Sequence, residues 1–116
     1  MAEFVEVAKK DELQDGTMKP VNVAGRDILI ARVKDVYYAA DNRCPHMGGK
    51  LSRGKLEGTV VTCPLHGSQF DLRNGQVVRW TSLTGLLLKV SSIIKSPKSI
   101  TTYNTKTIEE TIYVEI

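Results

Sequence analysis

The chain has 116 residues, of which 41% are hydrophobic and 25% charged, and its formal net charge is +3. This length predicts a single domain over residues 1 to 116, and the scattered positive charge argues against a nucleic-acid-binding protein, in which basic residues cluster. No apolar run approaches the roughly 20 residues of a membrane-spanning helix, and the amino terminus lacks a signal-peptide pattern. We therefore expect a cytoplasmic protein with no membrane span and no nucleic-acid partner.

The amino-terminal third of the sequence alternates apolar and polar residues in short stretches. Turn signals, Asp15-Gly16 and Gly25, separate the first three of these stretches. Strands are predicted over residues 3–8, 18–23, 27–33 and 36–41, which read EFVEVA, MKPVNV, DILIARV and VYYAAD. The last three follow one another closely enough to form a β-meander.

Short strands are also predicted in the remainder of the chain. The Asn74-Gly75 dipeptide is typical of a tight hairpin turn, and two stretches at the carboxyl end predict a final antiparallel pair. The predicted strands cover residues 58–63, 68–72, 77–80, 99–106 and 111–116. Eight to ten short strands at this spacing indicate an all-β fold, a small antiparallel β-sandwich or barrel.

One segment departs from the strand pattern. Residues 80 to 95, WTSLTGLLLKVSSIIK, place leucine, valine and isoleucine residues at helical spacing. The pattern predicts one short amphipathic helix over residues 82 to 95. Such a helix would cover an open end of the sheet, or would form a docking surface or a homodimer interface.

All the cysteines and histidines of the chain lie in two similar segments, Cys44-Pro45-His46 and Cys63-Pro64-Leu65-His66. Two cysteines in a cytosolic protein are more often metal ligands or catalytic groups than a disulfide, because that compartment keeps thiols reduced. Prolines within the segments and glycines beside them favour tight loops. The pattern thus predicts two facing loops that together offer two thiolates and two imidazoles.

Three kinds of site fit these four side chains. They are a disulfide, which leaves the matched histidines unexplained, a tetrahedral zinc site, and an iron-sulfur cluster with cysteines on one iron and histidines on the other. A single zinc ion requires all four ligand atoms within a little over 2 Å of one point, and it suits C-x-x-C or H-x-x-x-H pairs better than a mixed pair on each loop. The spacing favours the two-iron cluster.

The stretch from Asn42 to Asp71 resembles the cluster-binding region of Rieske proteins, and the small ferredoxins of bacterial ring-hydroxylating dioxygenases are the most similar in size and style. The shared signature is C-x-H, sixteen residues, then C-x-x-H. The resemblance implies one [2Fe-2S] cluster per chain, with Cys44 and Cys63 on the buried iron and His46 and His66 on the exposed iron. It also implies a cluster-binding subdomain of two hairpin loops at about residues 42 to 72.

The resemblance further implies that Gly48, Gly67 and Ser68 contact and tune the cluster, with the Ser68 hydroxyl donating a hydrogen bond to a sulfide. High-potential Rieske proteins carry a bridging cysteine and a tyrosine where this chain has Leu65 and Phe70. Because a donor to sulfur stabilises the reduced cluster, the loss of one donor and the retention of another predict a low or intermediate reduction potential.

The function implied by this resemblance is one-electron transfer from a flavin-dependent reductase to a terminal oxygenase or similar enzyme, with no catalysis by the chain itself. A small subunit of a larger oxidoreductase such as nitrite reductase, and a redox-sensing module, are the alternatives. Basic residues lie in or beside the first segment, and no acidic residue occurs between Asn42 and Leu56. They form either an ordinary solvated face or a basic rim that steers an acidic partner; the residues are Arg43, Lys50, Arg53 and Lys55.

Overall fold

A computed structural model describes residues 3–45, 49–64, 67–79 and 99–116. The helix predicted over residues 82 to 95, and the dimer surface assigned to it, lie outside the described residues. No helix within the described ranges has the length and hydrophobicity needed to cross a membrane.

The described part of the chain contains eleven strands, which form three antiparallel sheets. This architecture confirms the all-β prediction. The strands are β1 (Phe4–Lys9), β2 (Thr17–Val23), β3 (Arg26–Val33), β4 (Val36–Asp41), β5 (Lys55–Glu57), β6 (Val60–Thr62), β7 (Gln69–Asp71), β8 (Val77–Arg79), β9 (Thr102–Tyr103), β10 (Thr105–Ile108) and β11 (Thr111–Glu115). Two 3-10 helical turns, Lys10–Glu12 and Leu51–Arg53, complete the elements of these ranges.

The predicted meander forms the central sheet, in which the strand order is β2-β3-β4-β9. The middle strand, β3, is buried on both faces, because its four central residues are apolar and completely inaccessible to solvent. Leu29 and Ala31 face one hydrophobic cluster, whereas Ile28 and Ile30 face another on the opposite side. Together with β4, which also contributes residues to both clusters, this strand separates the two cores of the molecule.

The second sheet joins the two ends of the described chain, in the order β1-β11-β10. The predicted antiparallel pair at the carboxyl end is confirmed by β10 and β11. Residues 99–106, however, form two strands instead of the predicted one, because the chain crosses between sheets there: β9 pairs with β4, and β10 with β11. Hydrogen bonds from Tyr103 to the Asp41 carboxylate (2.7 Å) and from Thr105 to the Tyr37 carbonyl (2.8 Å) fix this crossing.

The third sheet has the order β5-β6-β7-β8. Strand β5 was not predicted, although Gly58 at a positive φ of 59° makes the tight turn that joins it to β6. The antiparallel register places Lys55 opposite Thr62. Because Lys55 begins β5 and Thr62 ends β6, the segment before β5 and the segment after β6 leave the hairpin at the same end.

The turn between β7 and β8 packs against the chain near Ile100. Gly75 adopts a φ of +78° there, as the predicted Asn74-Gly75 turn requires, and its carbonyl accepts a hydrogen bond from the Ile100 amide at 2.9 Å. A Cβ atom at position 75 would lie 2.1 Å from the Ile100 carbonyl oxygen. The glycine is thus required both by its backbone conformation and by the close approach of another segment.

We predict that Gly75→Ala destabilises the protein by about 3 kcal/mol or more, as measured by equilibrium urea unfolding. A left-handed conformation alone costs a residue with a Cβ about 1–2 kcal/mol, and the overlap with a backbone carbonyl adds to that cost. Gly16→Ala is the matched control, because Gly16 has a φ of +77° and no atom lies within 4 Å of the place that a Cβ would take. Equal losses in the two variants would contradict the steric explanation.

Candidate metal centre

Both cysteines lie at the starts of loops at the same end of the β5–β6 hairpin. The first loop comprises residues 42–54, between β4 and β5, and the second loop comprises residues 63–68, between β6 and β7. The side chains of Cys44 and Cys63 are buried, with 1% and 2% exposure, and belong to the same hydrophobic cluster. No disulfide joins them. The structure therefore places two buried sulfur donors together.

A hydrogen bond of the same type forms in each loop. The Cys44 amide donates to the carbonyl of Gly49 at 2.8 Å, and the Cys63 amide donates to the carbonyl of Ser68 at 2.7 Å. In both cases the acceptor is five residues after the cysteine. In the sequence, His46 and His66 fall between the two ends of these bonds, but both histidines and Gly48 lie outside the described residues.

The second loop ends in a conformation that its sequence makes possible. Gly67 has a φ of +74°, which favours glycine, and its amide donates to the Cys63 carbonyl at 3.2 Å. The next residue, Ser68, is completely buried. Both backbone polar groups of Cys63 therefore form hydrogen bonds within this loop. Their partners are Gly67 and Ser68, the two described residues that we predict to tune the cluster.

Gly54 brings the first loop into contact with the strand that leads to the second. A Cβ atom at this position would lie 1.7 Å from the carbonyl oxygen of Thr62, the residue just before Cys63. The preceding 3-10 turn directs the chain into this contact, as the Gly54 amide donates to the Leu51 carbonyl at 3.0 Å. Only glycine allows the backbones to approach so closely.

Asn42 anchors the first loop to β3. It is 1% exposed, and its side-chain amide donates to the Asp27 carboxylate at 3.1 Å while its side-chain oxygen accepts from the Ser52 amide at 2.7 Å. Its backbone carbonyl accepts from Leu51 at 2.7 Å. Lys50 forms a hydrogen-bonded ion pair with Asp27, and this contact is the main reason why the pKa of Asp27 is lowered. Burial acts in the opposite direction, and the hydrogen bond from Asn42 lowers the pKa further.

A second carboxylate fixes the turn that follows β7. Asp71, at the end of β7, is 8% exposed and accepts hydrogen bonds from the Arg73 guanidinium, the shortest at 2.7 Å. This partner holds the pKa of Asp71 at about 2, below its ordinary 3.8, although burial of the carboxyl acts in the opposite direction. The ion pair fixes the turn that follows the β6–β7 hairpin.

The chemistry of the donors fits an iron-sulfur cluster. Two cysteine sulfurs lie in an apolar cluster with Leu51, Val61 and Phe70, where water is excluded. Buried thiolates need a cation or a cluster to balance their charge, and the apolar surroundings affect the potential of such a cluster. With the histidines that the sequence places in the same loops, the donor set is that of a two-iron centre with mixed ligands.

Comparison with known proteins identifies the family and the cofactor. The family model described as "Rieske [2Fe-2S] domain" matches residues 3–103. The chain belongs to the Rieske [2Fe-2S] domain family. Membership identifies a [2Fe-2S] cluster as the cofactor, in place of the zinc or the disulfide that the spacing alone left open.

Similar proteins within the Rieske family include ferredoxin components of oxygenase systems. The chain is 35% identical, over 65% of its length and 72% of the relative, to the ferredoxin component of the naphthalene 1,2-dioxygenase/salicylate 5-hydroxylase systems of a Ralstonia species. It is 36% identical to ferredoxin CarAc of Metapseudomonas resinovorans, over 62% of this chain and 68% of the relative.

Solved structures extend the likeness to nearly the whole chain. The ferredoxin of carbazole 1,9a-dioxygenase from Nocardioides aromaticivorans IC177 is 26% identical, with a TM-score of 0.78 and coverage of 96% of this chain and 95% of that one. A chain in the complex of reduced oxygenase and oxidized ferredoxin in carbazole 1,9a-dioxygenase is 27% identical, with a TM-score of 0.76 and coverage of 96% and 91%.

Three residues that position the loops were not identified from the sequence. Gly54 could have been identified, because a hairpin turn at Gly58 implies a strand that begins just after Gly54. Asn42 had a weaker signal, because a buried asparagine beside a ligand segment often caps a loop. Asp27 had none: it lies fifteen positions before Asn42, and only the β3–β4 pairing brings the two together.

We predict that Asn42→Asp lowers both stability and the iron content per chain, because it places a carboxylate against Asp27. The double variant Asp27→Asn/Asn42→Asp exchanges donor and acceptor across the same contact. It should recover part of the iron content and of the urea midpoint, because it restores the hydrogen bond but leaves Lys50 without a carboxylate at position 27. The coupling, obtained with Asp27→Asn as the other single variant, should be about 1–3 kcal/mol. A double variant no better than Asn42→Asp would contradict the assigned contact.

For Asp71 we predict a pH-dependent contribution to stability. Because its pKa is lowered in the folded state, the stabilisation is complete above about pH 5 and is lost as the pH falls toward 2. Asp71→Asn should lower the free energy of unfolding by about 2 kcal/mol at pH 7, as measured in urea. The difference between wild type and variant should become smaller as the pH falls from 5 to 3. The control is Asp11→Asn, which removes an exposed carboxylate; a constant difference between wild type and Asp71→Asn would contradict the ion pair's role.

Proposed function

We propose that the protein is a one-electron carrier whose [2Fe-2S] cluster is held by Cys44 and Cys63 on one iron and by His46 and His66 on the other. The observation that carries this proposal is the pair of loops, each closed by its cysteine amide, that leave one hairpin with both sulfurs buried. When bound, such a cluster supplies reversible one-electron redox chemistry.

The chain's own residues define the surroundings of the two sulfurs. Leu51 and Phe70 are completely buried in the cluster of apolar side chains that contains both cysteines, and they exclude water from the cysteine side of the site. Ser68 supplies a hydroxyl at the end of the second loop, where we assign it as a donor toward sulfur, and we assign Gly67 and Gly48 as further residues that tune the cluster. A nearby donor raises the potential, whereas Phe70 in place of a tyrosine supplies none.

As partners we assign a flavin-dependent reductase as the electron donor and a terminal oxygenase, or a similar redox enzyme, as the acceptor. This assignment rests on the relatives that are ferredoxin components of dioxygenase systems, and on a similar ferredoxin in complex with its oxygenase. The proposal includes a cytoplasmic location, a single domain over residues 1–116 with the cluster-binding part at about 42–72, and a homodimer contact through residues 82–95.

The ligand assignment predicts the behaviour of variants of all four residues. Protein made anaerobically with ample iron should contain two irons and two sulfides per chain and, when reduced, give an electron paramagnetic resonance spectrum with an average g value below 2. Cys44→Ser and Cys63→Ser should lose most of the iron. His46→Cys and His66→Cys, if they retain iron, should lower the reduction potential, because thiolate replaces a neutral ligand.

A matched control is Ser52→Ala, which changes a side chain of the first loop outside the proposed ligands. It should retain the wild-type iron content and potential. Colourless wild-type protein without sulfide would overturn the proposed function, and a full cluster with wild-type potential in His46→Cys or His66→Cys would overturn the ligand assignment.

A further inference from the structure

The four basic residues in and beside the first loop fall into two groups. Lys50 forms an ion pair with Asp27, so its charge is balanced within the molecule. Arg43, Arg53 and Lys55 are exposed, and none of the ion pairs found within the described ranges includes them. These three cations are available to another molecule.

Two of these cations line an open groove beside a proposed cluster ligand. The groove has a volume of about 390 Å³ and is lined by Arg53, Gly54, Lys55, Thr62, Cys63 and Pro64. It lies where β5 and β6 meet the two loops, so its cationic side chains and Cys63 share one surface recess. We call this recess the basic groove.

Nearby carboxylates leave the charge of the basic groove largely uncompensated. Asp27 is engaged by Lys50 and Asn42, Asp71 by Arg73, and Asp41 accepts a hydrogen bond from Tyr103. Glu57 is the exception: it is exposed and lies two residues after Lys55 on the same face of β5. It is at the far end of that strand from the groove, and one carboxylate against the two cations that line the groove leaves a positive surface.

We propose that the basic groove docks a carboxylate-bearing surface of the protein that exchanges electrons with this chain. The inference rests on the proposed function and adds the chemistry of the partner: acidic side chains that enter the groove beside Cys63. Arginine and lysine in a concave site concentrate the field and steer an oppositely charged protein. Because the cations are exposed, they mainly affect the rate and orientation of docking. This electrostatic effect weakens as the salt concentration rises.

The shape of the site favours a protein carboxylate over a small bound anion. A small-anion site surrounds its ligand with several converging donors, whereas Arg53 and Lys55 are both exposed at an open recess. A partner's surface can cover such a recess and bring its carboxylates to the cations. Arg43 lies on the same loop as Arg53, where its backbone forms an isolated antiparallel β-bridge with Lys50.

The test uses the cluster-loaded protein, reduced and then oxidised by hexacyanoferrate(III), which takes one electron and becomes hexacyanoferrate(II). The rate should fall as ionic strength rises, and the rate with the cation tris(phenanthroline)cobalt(III) should not. Arg53→Gln and Lys55→Gln should each slow the reaction with hexacyanoferrate by about two- to threefold at low salt. A hexaglutamate peptide should compete with the anionic oxidant, and inorganic phosphate at equal ionic strength should compete less.

The matched control is Lys34→Gln, which removes the same charge from an exposed residue in the β3–β4 turn. That turn is at the far end of β4 from the first loop, about 15 to 20 Å away along the strand. Lys34→Gln should therefore leave the rate with hexacyanoferrate and the competition by the peptide unchanged within about 1.3-fold.

Competition by the peptide that is lost in Arg53→Gln/Lys55→Gln but kept in Lys34→Gln would support the inference. The inference would be overturned if Arg53→Gln/Lys55→Gln and Lys34→Gln lost the competition equally, or if the peptide did not compete with the wild-type protein. It would also be overturned if phosphate competed as well as the peptide. Loading is verified first by iron and sulfide analysis and by the spectrum of the reduced protein. A failure of the proposed function is therefore detected before any oxidation rate is measured and is distinct from a failure of the basic groove.

Discussion

The pairing of β5 with β6 is the constraint on which the site depends. It places Lys55 opposite Thr62, and so makes the first loop end where the second begins. Gly54 allows this approach, since any side chain there would overlap the Thr62 carbonyl. Two segments separated by sixteen residues thereby bring their cysteines into one apolar cluster, and the amide of each cysteine closes its own loop.

The remainder of the fold serves as a platform for this hairpin. β3 and β4 contribute apolar residues to both faces of the central sheet and divide the protein into two cores. One core contains the cysteines, and the other contains residues of the sheet formed by β1, β10 and β11. The first loop is tied to this platform through Asn42 and Asp27, and the turn after β7 is fixed by Asp71 and Arg73. Asn42 and Asp71 are themselves buried, so their hydrogen bonds with Asp27 and Arg73 hold the start of the first loop and the turn after β7 in place.

Local patterns in the sequence predicted the meander, the hairpin turn at Asn74-Gly75, the final strand pair and the family, because each depends on neighbouring residues or on a short motif. Contacts between distant residues were not predictable: the pairing of β1 with β11, the transfer of residues 99–106 between two sheets, and the contact of Asn42 with Asp27. Short strands such as β5 carry too few residues for a periodic signal. Cys44 and Cys63 lie in one hydrophobic cluster, and Gly67 and Ser68 are hydrogen-bonded to Cys63. Ligation of the cluster by Cys44, Cys63, His46 and His66 stays a prediction.

The same geometry connects the cofactor to recognition. The hairpin end at Cys63 also carries Arg53 and Lys55, so the proposed cluster site and a positive surface lie on one face. Mössbauer spectroscopy of the oxidised, iron-57-enriched protein tests the central claim most directly, namely that cysteines bind one iron and histidines the other. The account predicts two quadrupole doublets of equal area with different isomer shifts; a single doublet from two equivalent irons would contradict it.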